Sequence, residues 1–148
     1  MMHVLDTNVI SELMKTDPDP QVIAWLDSQS AGSVWTTSIS IFEISFGISA
    51  LPDGKRKQAL QDAFEAMLAE DFEYHVLDFD RTAANRAGEI SAKLHGLGRP
   101  VEIRDVQIAG IVSVRNAILA TRNLKHFQDT DISLVNPWGL VNPGAECG

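Results

Sequence analysis

Short runs of β-forming residues alternate along this chain with longer amphipathic segments, and that alternation constrains the fold more than any other feature. Met2 to Leu5, Ser33 to Thr37, Tyr74 to Leu77, Ala117 to Ala120 and Ile132 to Val135 each read as a strand. A short helix, Val9 to Met14, and a second one opening at Pro20 separate the first two strands. A segment from Ser38 to Ala50, with Ser38 as its expected cap, follows the second strand, and Lys55 to Ala69 places Leu60, Phe64, Met67 and Leu68 on one face. Further on, Asp80 to Leu94 repeats Ala83, Ala87, Ile90 and Leu94 at helical spacing, and Arg104 to Val114 does the same with Ile108, Ile111 and Val112. Strands separated by helices cannot pair as hairpins. They predict an α/β fold, a mostly parallel sheet with helices on both faces.

With 148 residues, 45% of them hydrophobic and 22% charged, the chain can build one core but not two. One domain is therefore expected over residues 1–138, followed by a flexible tail, 139–148, that carries the single cysteine, Cys147. The first residues carry an acid by position six and no basic stretch, and no apolar run approaches the roughly 20 residues of a membrane span. A soluble, cytoplasmic protein is the expectation, with no membrane partner. Twelve basic residues against twenty acidic ones give a formal charge of −8, which suits a basic protein partner and argues against nucleic acid unless cations gather some of the acids.

Three acids sit where a purely structural chain gains little from them. Asp6 closes the first strand, the end at which open parallel sheets bind ligands; it is also a good helix N-cap. Glu43 lies in a segment dominated by Ile and Phe, with Ile39, Ser40, Phe46 and Gly47 as its helical neighbours and no Lys or Arg in the helix to pair with it. A carboxylate buried there needs a partner, a proton or a cation; at the edge of the stripe it would simply reach solvent. Asp105 opens a helix on its apolar stripe, where it also complements the helix dipole. Taken together, the three predict a site for a hard cation, Mg²⁺ or Mn²⁺, which suits phosphodiester hydrolysis by an activated water. His3, His75, His95 and His126 have no paired metal-ligand spacing.

The same acids lie within Leu5-Asp6-Thr7-Asn8, Ile41-Phe42-Glu43-Ile44, Arg104-Asp105-Val106-Gln107-Ile108-Ala109 and Ala120-Thr121-Arg122-Asn123, with His126-Phe127 and Val135-Asn136-Pro137-Trp138 after them. In this order the segments resemble the PIN-domain ribonucleases, specifically the VapC toxins of type II toxin–antitoxin systems and their FitB-like branch, over about residues 2–138. The resemblance implies a PIN-like three-layer fold with a four- or five-stranded parallel sheet. It implies a metal-dependent endoribonuclease in which Asp6, Glu43 and Asp105 bind Mg²⁺ or Mn²⁺ and Asn123 completes the catalytic set. It also implies an RNA substrate, a homodimer, and a hetero-oligomer with a cognate VapB-like antitoxin whose C-terminal segment wraps the toxin and sets an Arg against the acids.

Many PIN domains have an Asp where this chain has Asn123, so weaker binding of a second metal is expected; Asp129 or Asp131 are alternatives for that place. Thr7 and Thr121 are candidates for supporting the ligands, and Arg104, Arg122 and Lys125 for holding substrate phosphates. Lys55-Arg56-Lys57 reads as a solvated helix end away from the acids. Two other functions compete: a catalytically weak PIN-like binding module, suggested by Asn123, and a Mg²⁺-binding receiver-type signalling domain. The second would want its acceptor Asp after the third strand, whereas Glu43 and Asp105 lie on helices.

Overall fold

The computed structural model describes residues 1–99 and 101–139. Pro100 and, apart from Gly139, the expected tail with Cys147 lie outside the described residues. Five strands, β1 (His3–Leu5), β2 (Val34–Thr37), β3 (Val76–Leu77), β4 (Ile118–Ala120) and β5 (Ser133–Val135), form one sheet in the order β3-β2-β1-β4-β5. Every neighbouring pair is parallel, so the sheet has five strands within the expected four or five. The helices are α1 (Thr7–Leu13), α2 (Pro20–Asp27), α3 (Ser38–Ser49), α4 (Lys55–Glu70), α5 (Arg81–Gly96) and α6 (Ile103–Arg115), with a 3₁₀ turn at Leu124–Phe127.

Period-two alternation sorts the strand side chains into two cores. Val4 and Leu119 face α5 and α6, where Ala83, Ile90, Leu94, Ile108 and Val112 are buried with them. Leu5 and Ala120 face the other way, onto Val9, Ile10, Val22, Ile44, Phe64 and Phe72 of the α1–α4 side. The result is a three-layer α/β arrangement. Among the described residues, no helix is long and apolar enough to cross a membrane.

Strand order explains where a ligand can enter. From central β1 the chain moves outward to β2 and β3, then returns across the sheet to β4, on the other side of β1. Connections thus diverge between β1 and β4, and the crevice beyond the carboxyl ends of those two strands is where open α/β sheets bind ligands. Asp6 directly follows β1, and Thr121 directly follows β4.

Two local expectations are corrected. Thr37, not Ser38, caps α3: it ends β2 with extended backbone and its side chain accepts from the Ser40 amide at 3.1 Å. Ser38 is the first helical residue and its hydroxyl accepts from the Phe79 amide instead. Tyr74 is not in a strand, because Glu73 and Tyr74 have φ of 51° and 58° and the Tyr74 amide still bonds the Leu68 carbonyl of α4, so β3 begins only at Val76. His75, just before β3, stacks on Trp35 at 4.3 Å, and His3 meets Trp25 edge-on at 5.5 Å.

Candidate active site

Asp6 is both a helix cap and a site residue. Its Oδ1 accepts from the Thr7 amide at 2.8 Å, which starts α1, while Oδ2 accepts from the Thr121 hydroxyl at 2.8 Å and from Asn8 Nδ2 at 3.4 Å. Thr121 is fully buried, and its oxygen also accepts from Asn8 Nδ2 and from the Asn123 amide. Thr7 then joins Asp6 to Glu43: its amide serves the first carboxylate and its hydroxyl donates to Glu43 Oε1 at 2.7 Å. That hydroxyl has one proton, so the Ser40 hydroxyl 3.0 Å away must donate to it. Asp105, half-buried in the first turn of α6, lies 3.2 Å from His126 Nδ1 and close enough to Asp6 for its charge to act there.

The acids act on one another through charge. Asp6 is 5% exposed, and its carboxyl is pushed up to about 6 by burial, against the hydrogen bonds from Thr121 and Thr7, with the charges of Asp105 and Glu43 adding to the rise. Asp105 is raised as well, first by burial, then by Glu102 and Glu43, with His126 opposing. Among the described residues, no three His, Cys, Asp or Glu side chains are already drawn together into a metal-holding group. The donor set nevertheless fits a hard divalent cation, because the acids offer carboxylate oxygens and Asp6 is buried without a basic partner among the described ion pairs.

Burial of Asp6 has a measurable cost to the fold. Because its folded pKa is raised, the folded chain holds a proton that the unfolded chain gives up between about pH 4 and 6, and stability falls as pH rises through that window. Asp6→Asn is therefore expected to stabilise the chelator-treated protein at pH 7.5 by on the order of 2 kcal/mol, or roughly 4–8 °C in Tm, and to give little gain at pH 4. Thermal melts at the two pH values check this. A variant melting at or below wild type at pH 7.5 would contradict it.

The remaining candidates are distributed around this centre. Asn123 follows β4 with its side chain exposed, and Lys125 is exposed on the 3₁₀ turn. Arg122 lays its guanidinium over Trp138, 4.8 Å from the ring centre. Arg104 reaches Glu43, with Nη1 3.7 Å from Oε2, so the basic partner missing from α3 is supplied by α6. Asp129 and Asp131 are not at the site: they pair with Arg99 and Lys93 of the α5 region, and both adopt left-handed backbone in the loop that turns them there. The basic run at the start of α4 is nearer than expected, because Arg56 lines the same apolar groove as Thr7 and Glu43.

Asn8, Ser40 and His126 are the participants that the residue pattern alone did not single out. Ser40 carried a signal, being three residues before Glu43 on one helix face. Asn8 and His126 carried none beyond lying beside Thr7 and Phe127, since their partners are remote in sequence.

The PIN domain family profile matches residues 3–132. The chain is 34% identical over 137 residues to a Sinorhizobium fredii protein named VapC ribonuclease Y4jK, covering 93% of this chain and 98% of that one. It is 32% identical to Toxin FitB of Neisseria gonorrhoeae, over 93% of this chain and 99% of the other. In three dimensions it superposes on a chain of the FitAB structure bound to an IR36 DNA fragment with a TM-score of 0.86 and 32% identity, covering 96% of this chain and 99% of that one.

Proposed function

The chain belongs to the PIN domain family, and on that premise we propose that it is a metal-dependent endoribonuclease, the toxin of a VapBC-type toxin–antitoxin pair. The observation that carries the reading is that Thr7 bonds both Asp6, at the β1–β4 crevice, and Glu43, while burial and the charges of Asp105 and Glu43 raise Asp6 to about 6. Carboxylates held in that state gain from any positive charge that reaches them, and a divalent cation competes with the proton for the place. Mg²⁺ or Mn²⁺ bound by these three residues would lower the pKa of a water and stabilise charge on the scissile phosphate.

The protein's own contribution is order and charge. Thr7 and Thr121 hold the carboxylates of Glu43 and Asp6 in fixed directions, so little is lost in arranging them when a ligand arrives. Arg122 and Lys125 supply positive charge at the strand ends for the RNA backbone, beside a site whose acids would otherwise repel it. Asn123 offers an amide without charge where a fourth acid would strengthen a second cation site, so one cation is the expected complement.

The partner reading is a small antitoxin. The groove beside Glu43 has an apolar floor of Met14, Ile48, Leu51 and Leu60 and a basic rim of Lys15 and Arg56, and it leads to the acids, which suits an amphipathic segment ending in a basic residue. The similar Neisseria protein is named a toxin, and the chain superposes on a chain of a FitAB structure bound to a DNA fragment. A cytoplasmic homodimer is part of the same proposal.

The test is cleavage of a mixed RNA pool by the chain purified free of its partner, with Mg²⁺ or Mn²⁺ and with EDTA. Cleavage in cation, lost in EDTA and restored by returning the ion, is expected. Cleavage undiminished in EDTA would overturn the metal-dependent mechanism.

A further inference from the structure

Glu43 presents its two oxygens to different neighbours. Oε1 receives the Thr7 hydroxyl at 2.7 Å, while Oε2, the oxygen left over for a ligand, faces Arg104 Nη1 at 3.7 Å. Arg104 is not free to wander. Its Nε lies 3.0 Å from Glu102 Oε1, and its backbone amide donates to Oε2 of the same residue, the N-cap of α6, at 2.8 Å. The guanidinium is thus tethered at the rim by a carboxylate that the helix start itself holds in place. Among the described ion pairs, Glu43 is the one member of the acidic trio with an arginine against it; Asp105 has His126, and Asp6 has none.

We infer that Arg104 is the resident counter-ion of Glu43 and competes with the divalent cation for its Oε2, so that this guanidinium sets how much cation the site requires. The inference rests on Glu43 being a cation ligand. With both partners partly exposed, the pair is screened and yields to a doubly charged ion, but it must be broken or weakened each time the ion binds. Thr7 keeps Glu43 oriented whether or not Arg104 is present. Removing Arg104 therefore removes a competing charge and leaves the carboxylate in place, which fixes the direction of the effect. After displacement the guanidinium stays at the crevice, because Glu102 still holds its Nε.

Mn²⁺ binding measured calorimetrically on the full chain, without RNA, tests this with wild type, Arg104→Gln, Arg104→Lys and Glu43→Gln. Arg104→Gln is expected to bind Mn²⁺ about three- to tenfold more tightly than wild type at low salt, the difference shrinking as salt is raised. Arg104→Lys should stay close to wild type, and Arg104→Gln should have no effect in a Glu43→Gln background. A merely structural arginine would produce neither the gain nor its salt dependence. If Glu43→Gln weakens binding while Arg104→Gln binds no better than wild type, the competition is overturned and Glu43 remains a ligand. If wild type binds no Mn²⁺, or Glu43→Gln binds as well as wild type, the ligand reading falls and takes the competition with it.

Discussion

Glu43→Gln is expected to lower RNA cleavage by about 100- to 1,000-fold while leaving the fold intact, since removing one charge from a site that stabilises phosphate chemistry has effects of that order. The glutamine keeps the shape of the side chain and an oxygen for the Thr7 hydroxyl, so α3 and its contact with α1 are preserved. What disappears is the negative charge on the side chain that α3 turns into the crevice. Arg104 then faces a neutral amide, which leaves excess positive charge where a cation should sit. Initial rates at saturating Mn²⁺ and far-UV circular dichroism measured together separate lost chemistry from lost structure.

Gly110→Val is the corresponding prediction for the scaffold. Gly110 lies in α6 against α5, and a Cβ there would fall 2.6 Å from the Ala83 carbonyl oxygen, 2.8 Å from the Ala87 Cβ and 2.9 Å from the Ala87 nitrogen. Two of these three atoms are backbone, so the helices themselves must part. A glycine in mid-helix ordinarily costs about 1 kcal/mol relative to alanine, so Gly110→Ala would stabilise an open position. Here the overpacking outweighs that gain: Gly110→Ala is expected to destabilise by about 1–3 kcal/mol and Gly110→Val by more. Gly88 in α5 is the control, because nothing lies within 4 Å of its Cβ position and Gly88→Ala should be neutral or stabilising. Urea midpoints for the three variants check the ordering. Because α6 carries Arg104 and Asp105 in its first turn, any fold that survives Gly110→Val should also cleave RNA less well.

Period and punctuation were enough to read the layers. Short strands buried on both faces, such as His3–Leu5 and Ile118–Ala120, and helices with clean stripes, such as α5 with Ala83, Ala87, Ile90 and Leu94, appear within one or two residues of where the pattern puts them. The site was legible only in its skeleton. Asp6 at a strand end and Asp105 in a first turn follow from local rules, but the surroundings of Glu43 do not. Its Ile and Phe neighbours suggested a buried stripe, yet Phe42 and Phe46 are 59% and 64% exposed and stack on each other outside the core. Glu43 is sheltered instead by Thr7 and Arg104, which come from other elements.

The same holds for the network around Asp6. Thr121 lies 115 positions away in sequence and reaches Asp6 only because β4 crosses back to pair with β1, a strand order that periodicity does not encode. Asp129 and Asp131 illustrate the converse. Their nearness in sequence to Asn123 suggested the site, while positive backbone φ and the lysine and arginine of the α5 region draw them away.

The central claim, that Asp6 and Glu43 belong to one catalytic centre, is tested most directly by comparing single-turnover RNA cleavage by wild type, Asp6→Asn, Glu43→Gln and the double variant. Residues that work as a unit lose their effect together, so each single variant should fall by two orders of magnitude or more and the double variant by little beyond that. Equal cleavage by wild type and both single variants would contradict the assignment of the site.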